Sequence, residues 1–297
     1  MIKSNLKPPL EISAKDKYAS VQTIAYQSKD VNAVFCPVMA VLRDRLLAIL
    51  KPKIMIMTGM SNADFEIEVN KRFDARILKD SRQIECDMSK YDKAQEQAVF
   101  EAEIELYRLL GMDDWLLDIW REAHVSSRIR DRQNGVSISV NYQRRSGDAS
   151  TFFGNTLVLL MTMAACYDFD DVYAGFFAGD DSVMYFSGLR NYDLYDPSSR
   201  MADLFNLECK LLDRYTIPYF CSKFIISTDT HTYFVPDLLK VITKLGRRDM
   251  SNYEHVEEYR VSCADTLSLM LNEIIVDGLE QGITERYKGK ITDAHQR

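Results

Sequence analysis

The amino-acid sequence predicts a folded α+β chain, mostly helical with hairpin strands, and three observations carry that prediction. Long stretches hold apolar residues at helical spacing, as in Val41, Leu42, Leu46, Leu47 and Leu50. Two apolar runs, Tyr173 to Ala178 and Ser182 to Phe186, are separated only by Gly179-Asp180-Asp181, and Gly and Asp tolerate the positive φ of a hairpin turn. The composition, 46% hydrophobic and 27% charged with 12 Gly and 7 Pro among 297 residues, excludes a disordered or collagen-like chain and supports a substantial core.

The elements follow in order. Residues 1–35 are polar and mixed, with Lys15, Lys17 and Tyr18 leading into a short strand at Val21 to Ile24. A helix is expected over Val38 to Lys51, a buried strand at Ile54 to Met57, and a second helix capped by Ser61 with Phe65, Val69 and Phe73 on one face. A strand beginning near Ile84 ends at Asp87, and a helix from Gln95 to Leu110 follows, closed by Gly111. Asp113 and Asp114 suit the first turn of a helix bearing Trp115, Leu116, Ile119 and Trp120, with both tryptophans read as core. Val136 to Val140 alternates as a strand, and Thr151 to Ala165 is an apolar helix whose Gly154 permits close packing. Tyr219 to Ile226 and His231 to Val235 read as a second hairpin, Pro236 opens a helix ending at Gly246, and a last helix spans about Asp265 to Val276.

The formal charge of -7 gives no global positive field, so a polyanion would need a local basic patch. Six cysteines (Cys36, Cys86, Cys166, Cys209, Cys221, Cys263) form no Cys-x-x-Cys pair and read as reduced, mostly buried thiols rather than disulfides or zinc ligands. No signal peptide or membrane span is evident, which suggests a cytosolic chain or one that reaches membranes through partners.

The chemistry concentrates in acids. Asp87 ends a strand, Asp92 follows it, and Asp180-Asp181 tips a hairpin flanked by Phe176, Phe177, Tyr185 and Phe186. Adjacent carboxylates repel by about 4 kcal/mol at about 4 Å for an effective dielectric near 20, unless a cation lies between them. Oxygen-only ligands favour magnesium or manganese, and metals held by carboxylates serve in-line phosphoryl transfer. His124 reads as structural, and Cys86, next to Asp87 in a strand, points to the opposite face.

Asp87-Met88-Ser89-Lys90-Tyr91-Asp92, then the segment from Ser146-Gly147-Asp148 to Asn155-Thr156, then Gly179-Asp180-Asp181 occur in that order. In these motifs the sequence resembles the RNA-dependent RNA polymerases of positive-strand RNA viruses in the alphavirus-like supergroup, and looks closest to closterovirus enzymes. The resemblance runs from about Lys15 to about Asp249. It implies a right-hand polymerase palm, an antiparallel sheet backed by helices, with partial fingers and a short thumb: fingers in 1–83, palm in 84–249 with an inserted fingers segment at about 111–145, and part of the thumb in 250–297.

By the same resemblance, Asp87 of motif A and Asp180 of motif C hold two magnesium ions, manganese being a substitute, with Asp181 beside them in a lesser role. Asp92 pairs with Asn155 of motif B, near Ser146 and Thr151, to recognise the ribose 2′-hydroxyl, which calls for a donor and an acceptor aimed at one oxygen. Gly147 lets the motif B loop flex over the template–nucleotide pair. Lys210, in Asn206-Leu207-Glu208-Cys209-Lys210, resembles the motif D general acid, though a lone surface lysine is normally just a solvated charge. Cys221, Ser222 and Lys223 resemble the primer grip. Lys15 and Lys17 are a partial triphosphate-binding motif F, in which Ser20 replaces an expected Arg. Arg128, Arg130, Arg144 and Arg145 could contact RNA or triphosphate, or form a solvated positive loop.

The implied reaction is template-directed transfer of NMP from NTP to an RNA 3′-hydroxyl, in the host-cell cytoplasm and in membrane-associated replication complexes reached through other replicase proteins, such as a helicase and a methyltransferase. The short stretch ahead of motif F suggests the C-terminal part of a larger polypeptide. The rival reading is an inactive palm fragment that binds RNA or replicase partners. A reverse transcriptase would place an aromatic gate where Asp92 and Asn155 stand, and a phosphodiesterase would not need that pair.

Overall fold

The computed structural model describes residues 24–131, 135–186, 197–214, 217–245, 252–268 and 272–287. Helix α1 (Lys29–Ile49) begins at Ser28, whose hydroxyl accepts from the Val31 N–H, well ahead of the expected start at Val38, and it contains Pro37. Strand β1 (Ile54–Ile56) leads to α2 (Asn62–Arg72), capped by Ser61 as expected in a reciprocal box with Asp64, and to the short α3 (Ala75–Asp80), started by the Asp74 side chain. Then come β2 (Arg82–Met88), α4 (Tyr91–Ala94), α5 (Gln97–Leu109), α6 (Asp114–Val125), the hairpin β3 (Ser127–Asp131) and β4 (Val136–Val140), and α7 (Thr151–Cys166). The chain continues through β5 (Val172–Ala178), β6 (Asp181–Phe186), α8 (Pro197–Phe205), β7 (Cys209–Arg214), β8 (Tyr219–Phe220), β9 (Lys223–Ser227), β10 (Thr232–Pro236), α9 (Leu238–Leu245), α10 (Tyr253–Ser268) and α11 (Glu273–Tyr287).

The main sheet has the order β1-β5-β6-β2-β7. Its ladders are antiparallel except that β1 runs parallel to β5, so the sheet is mixed rather than wholly antiparallel, and it recruits an edge strand from before residue 84. Alternation sorts its two faces. Ile54, Ile56, Ile84, Cys86, Met88, Phe177, Met184 and Phe186 turn toward a core shared with α1, α5, α6 and α7. Met55, Phe176, Val183 and Tyr185 turn the other way, onto Phe65 and Val69 of α2 and onto Phe220, Ile225 and Phe234 of a second sheet, β10-β9-β8. The edge-to-face contacts of Phe65 with Phe176 and Phe234 add about 0.5–1.5 kcal/mol each beyond area burial. The outer face of the second sheet packs on Ile275, Leu279 and Ile283 of α11. Gly278 and Gly282 allow that approach, since a Cβ at either would stand 2.8 Å from Ile226 or Phe224.

Several expectations are corrected. Trp120 is fully buried, whereas Trp115 is 60% exposed. The run Tyr219 to Ile226 is not one strand but itself a hairpin, turning at Cys221-Ser222. In place of one terminal helix at Asp265 to Val276 there are two, α10 and α11. The expected strand at Val21 to Ile24 falls outside the described residues, save Ile24, which is in no strand. All six cysteines are free, with Cys36 exposed. Among the described residues no helix is long and apolar enough to cross a membrane.

Candidate active site

Asp87 and Asp181 are direct register partners on β2 and β6, and Lys210 on β7 is the register partner of Asp87 on its other side. Directly opposed residues in a ladder project from the same face, so Asp181, Asp87 and Lys210 form a row across three strands, all exposed. That face is opposite to the one carrying the buried Cys86, as the alternation requires.

The β5–β6 turn comprises two residues, Gly179-Asp180, between the paired Ala178 and Asp181, so Asp181 belongs to the ladder rather than to the loop. Gly179 takes φ 63, which a primed hairpin turn needs at its first position and which glycine supplies without steric cost. The Gly179 N–H donates to the Thr156 hydroxyl at 2.8 Å, tying the turn to α7. Thr156 is fully buried and its own hydroxyl donates to the Phe152 carbonyl.

After Asp87, Lys90 adopts φ 51 and turns the chain from the end of β2 into α4, which carries Asp92. The Asn155 Nδ2 donates to Asp92 Oδ1 at 2.8 Å, and the Tyr91 hydroxyl donates to the Asn155 carbonyl at 3.0 Å. Burial pushes the Tyr91 hydroxyl well up, so it stays protonated as a donor. The carboxyl of Asp181 is held above its ordinary value, first by desolvation and next by Asp180, with Asp87 adding to the effect while Lys240 and Arg286 oppose it.

Mutual repulsion among Asp87, Asp180 and Asp181 fits a divalent cation. Among the described residues, however, no three His, Cys, Asp or Glu side chains converge as a closed metal cage. The arrangement fits an open site, in which hard cations take one or two carboxylates and complete their shell with water and substrate phosphates.

Of the basic residues, Arg128 and Arg130 lie on one face of the β3–β4 hairpin, exposed, with the Arg128 guanidinium donating to Ser137. Arg144 and Arg145 do not line a channel. Arg144 is buried, donating to both oxygens of Glu103 at 2.9 and 2.7 Å, to the Ser150 hydroxyl and to Gln95. Burial alone would lower its pKa, but Glu103 outweighs that and raises it. Arg145 is buried against the Ala123 carbonyl, Ser127 and Asp148, and burial lowers its pKa while Asp148 partly offsets the effect. His124 is structural, bonded to the Trp120 carbonyl and to Asp148 at 3.0 Å.

Ser146 is exposed, consistent with substrate access, but the Thr151 hydroxyl is turned into its own loop, onto the carbonyls of Arg145 and Asp148. Gly147 packs closely against the segment ahead of α1. Its N–H donates to the Ala25 carbonyl, and a Cβ there would stand 2.7 Å from Tyr26. Cys221 and Ser222 take φ 49 and 62 in the β8–β9 turn, and Ser222 accepts from Lys240 at 3.2 Å. Lys223 is buried, and desolvation lowers its pKa. Lys15 and Lys17 lie outside the described residues. Sequence reasoning misses Thr156, Gln95 and the role of Tyr91. Only the occurrence of a polar Thr156 in the largely apolar run of α7 hints at the first of these.

A helix-backed sheet that gathers its acids where neighbouring strands end is the palm of a right-hand polymerase, and the fold places the chain in that class. The crystal structure of the RNA-dependent RNA polymerase of a human picorbirnavirus shares the fold, with a TM-score of 0.65 over 93% of this chain and 56% of that one at 14% identity. This chain belongs to the RNA dependent RNA polymerase family, whose model matches residues 1–295. Similar curated proteins include the RNA replication protein of Citrus leprosis virus C (34% identical over 96% of this chain and 11% of that protein), the replicase large subunit of Tobacco rattle virus (32%, over 99% and 17%) and the RNA-directed RNA polymerase of Barley stripe mosaic virus (33%, over 97% and 36%). The chain thus spans about a tenth to a third of the length of these relatives. They are replicases of the alphavirus-like kind, and they do not bear on the closer tie to closterovirus enzymes expected from the motifs. Polymerases of this family use divalent metal ions.

Proposed function

We propose that this chain is the catalytic palm and its surroundings from a viral RNA-directed RNA polymerase, joining NMP units from NTPs to an RNA 3′-hydroxyl on an RNA template. The observation that carries the reading is the Asn155–Asp92 hydrogen bond, with Asp92 five residues along the chain from Asp87 of the Asp87–Asp181 register pair. A donor and acceptor pair next to a row of carboxylates is what selecting a ribonucleotide at a phosphoryl-transfer centre requires.

Asp87 and Asp180, with Asp181 in support, would hold two magnesium ions, for which manganese would substitute. When bound, the metals supply charge stabilisation for the attacking and leaving oxygens. The protein's own residues do the rest. Asp92 and Asn155 hold the 2′-hydroxyl, Lys210 gives a proton to the departing pyrophosphate, and the Cys221-Ser222 turn with Lys223 seats the primer end. Arg128 and Arg130 on their exposed hairpin remain as RNA or triphosphate contacts. The wider setting is a cytoplasmic, membrane-associated replication complex in which helicase and methyltransferase components accompany the polymerase.

The test is template-directed incorporation of labelled NTP into primed RNA with magnesium, comparing the chain with its Asp180→Ala form and with dNTP in place of NTP. Incorporation that is lost in the variant and weak with dNTP supports the reading. Incorporation that survives Asp180→Ala overturns it.

A further inference from the structure

Asn155 can serve ribose selection only if its side-chain amide faces one particular way. Its NH2 group must point at Asp92, since a carboxylate only accepts, and its oxygen must then point elsewhere. An isolated asparagine turns its amide over at little cost. In this chain the orientation that Asp92 demands is also imposed from behind. The Gln95 Nε2 donates to Asn155 Oδ1 at 2.8 Å, so the Asn155 oxygen is occupied and its NH2 is left for Asp92. Gln95 is itself an amide with two possible orientations, and Arg144 removes that freedom: its Nε donates to Gln95 Oε1 at 3.0 Å, and a guanidinium has nothing with which to accept. Arg144 is in turn fixed by its two bonds to Glu103 and one to Ser150. Gln95, Asn155 and Arg144 are all buried, so water does not compete for these bonds.

From this one-way chain of donors we infer that Gln95 is a positioning residue for sugar selection, transmitting the fixed donor polarity of Arg144 through Asn155 to Asp92. The inference rests on the proposed ribose-reading role of Asp92 and Asn155. Gln95 itself touches no substrate. Replacing it by an apolar residue of similar length leaves the buried Asn155 oxygen without a donor and Asp92 alone to orient the amide. Replacing it by Glu presents an acceptor to Asn155, which draws the NH2 away from Asp92 and sets an oxygen against the Asp92 carboxylate.

The experiment is an equilibrium titration of the chain, with primed RNA and magnesium, by ATP and by 2′-deoxy-ATP, taking the ratio of the two affinities. It is run on the unaltered chain, Gln95→Met, Gln95→Glu and Asn155→Ala, with the melting temperature of each recorded. The expected result is a ratio that falls about tenfold in both Gln95 variants, as in Asn155→Ala, through weaker ATP binding while deoxy-ATP binding holds. The ratio compares two ligands on one protein, so a general loss of stability does not produce this pattern. Should one Gln95 variant fail to fold, the other carries the test. In the double variant Gln95→Glu with Asp92→Asn, the hydrogen bonds can close again in reversed polarity, so the melting temperature is expected to recover while the ratio stays low. A ratio lowered by Asn155→Ala but unchanged in the Gln95 variants overturns the inference and leaves the ribose reading standing. A ratio unchanged by Asn155→Ala, or no ATP preference in the unaltered chain, overturns both.

Discussion

Lys210 and Asp87 stand directly opposite each other across the β2–β7 ladder, so the proposed proton donor and a proposed metal ligand share one face of the sheet. This placement is more informative than the sequence around Lys210, because it sets the lysine on the same sheet face as the proposed metal ligand. Lys210→Ala is expected to slow nucleotide addition about 100-fold while altering NTP affinity little, the signature of a group that acts on the leaving pyrophosphate. Single-turnover kinetics measures both quantities. A loss confined to affinity would assign Lys210 to binding instead.

The Thr156 hydroxyl is the partner of the Gly179 N–H at the turn that carries Asp180. Thr156→Val keeps the shape and removes the acceptor, leaving a buried donor unpaired. The expected cost is about 1–3 kcal/mol in urea denaturation, together with reduced incorporation. Stability equal to that of the unaltered chain would show that the turn holds itself.

At Cys221-Ser222 two non-glycine residues occupy left-handed backbone, φ 49 and 62. A two-residue turn with positive φ at both positions favours Asn-Gly. Replacing the pair by Asn and Gly is expected to raise stability by about 1 kcal/mol through relief of strain, even though the Lys240 contact to Ser222 is lost. Denaturation midpoints decide this, and lower stability in the variant would place the value of the turn in its side chains.

Glu85 lies on β2 two residues before Asp87 and accepts from Arg214 at 3.2 Å and from the Tyr219 N–H at 2.6 Å. Burial holds its carboxyl above the ordinary value of 4.5, despite the opposing pull of Arg214, the Tyr219 N–H and Arg286. The folded chain therefore binds this proton more tightly than the unfolded chain does. Its contribution to stability is full below the ordinary value and is lost as pH rises through the raised one. Glu85→Gln removes the titration, so the variant's stability is expected to fall less steeply than the parent's from about pH 4.5 upward. Urea midpoints across pH 4 to 7 measure both slopes, and parallel curves would contradict the assignment.

What the sequence reveals about this molecule is what is local. The Ser61 cap, the strand ending near Asp87 and the hairpin at Gly179 each depend on a few adjacent residues, and the structure has them where the pattern predicts. Arg144 shows the opposite case. Its charge is visible in the sequence, but the carboxylate that neutralises it, Glu103, lies on a different helix, and nothing local distinguishes a buried ion pair from an RNA contact. Trp115 was recoverable: at about 100° per residue it stands about 140° around the helix from Trp120, so the two cannot share one buried stripe. The Cys221-Ser222 turn contains neither Gly nor Asn, the residues by which such turns are recognised, and so it is hidden within an apolar run.

Asn155 and Thr156 are neighbours on α7, one bonded to Asp92 and the other to the turn beside Asp180. The same helical turn thus serves as a crossbar between the element proposed to inspect the sugar and the element that carries a proposed metal-binding acid. A displacement of that crossbar moves both ends, so under the proposed function copying speed and sugar discrimination would be mechanically linked, and selection for one would act on the other.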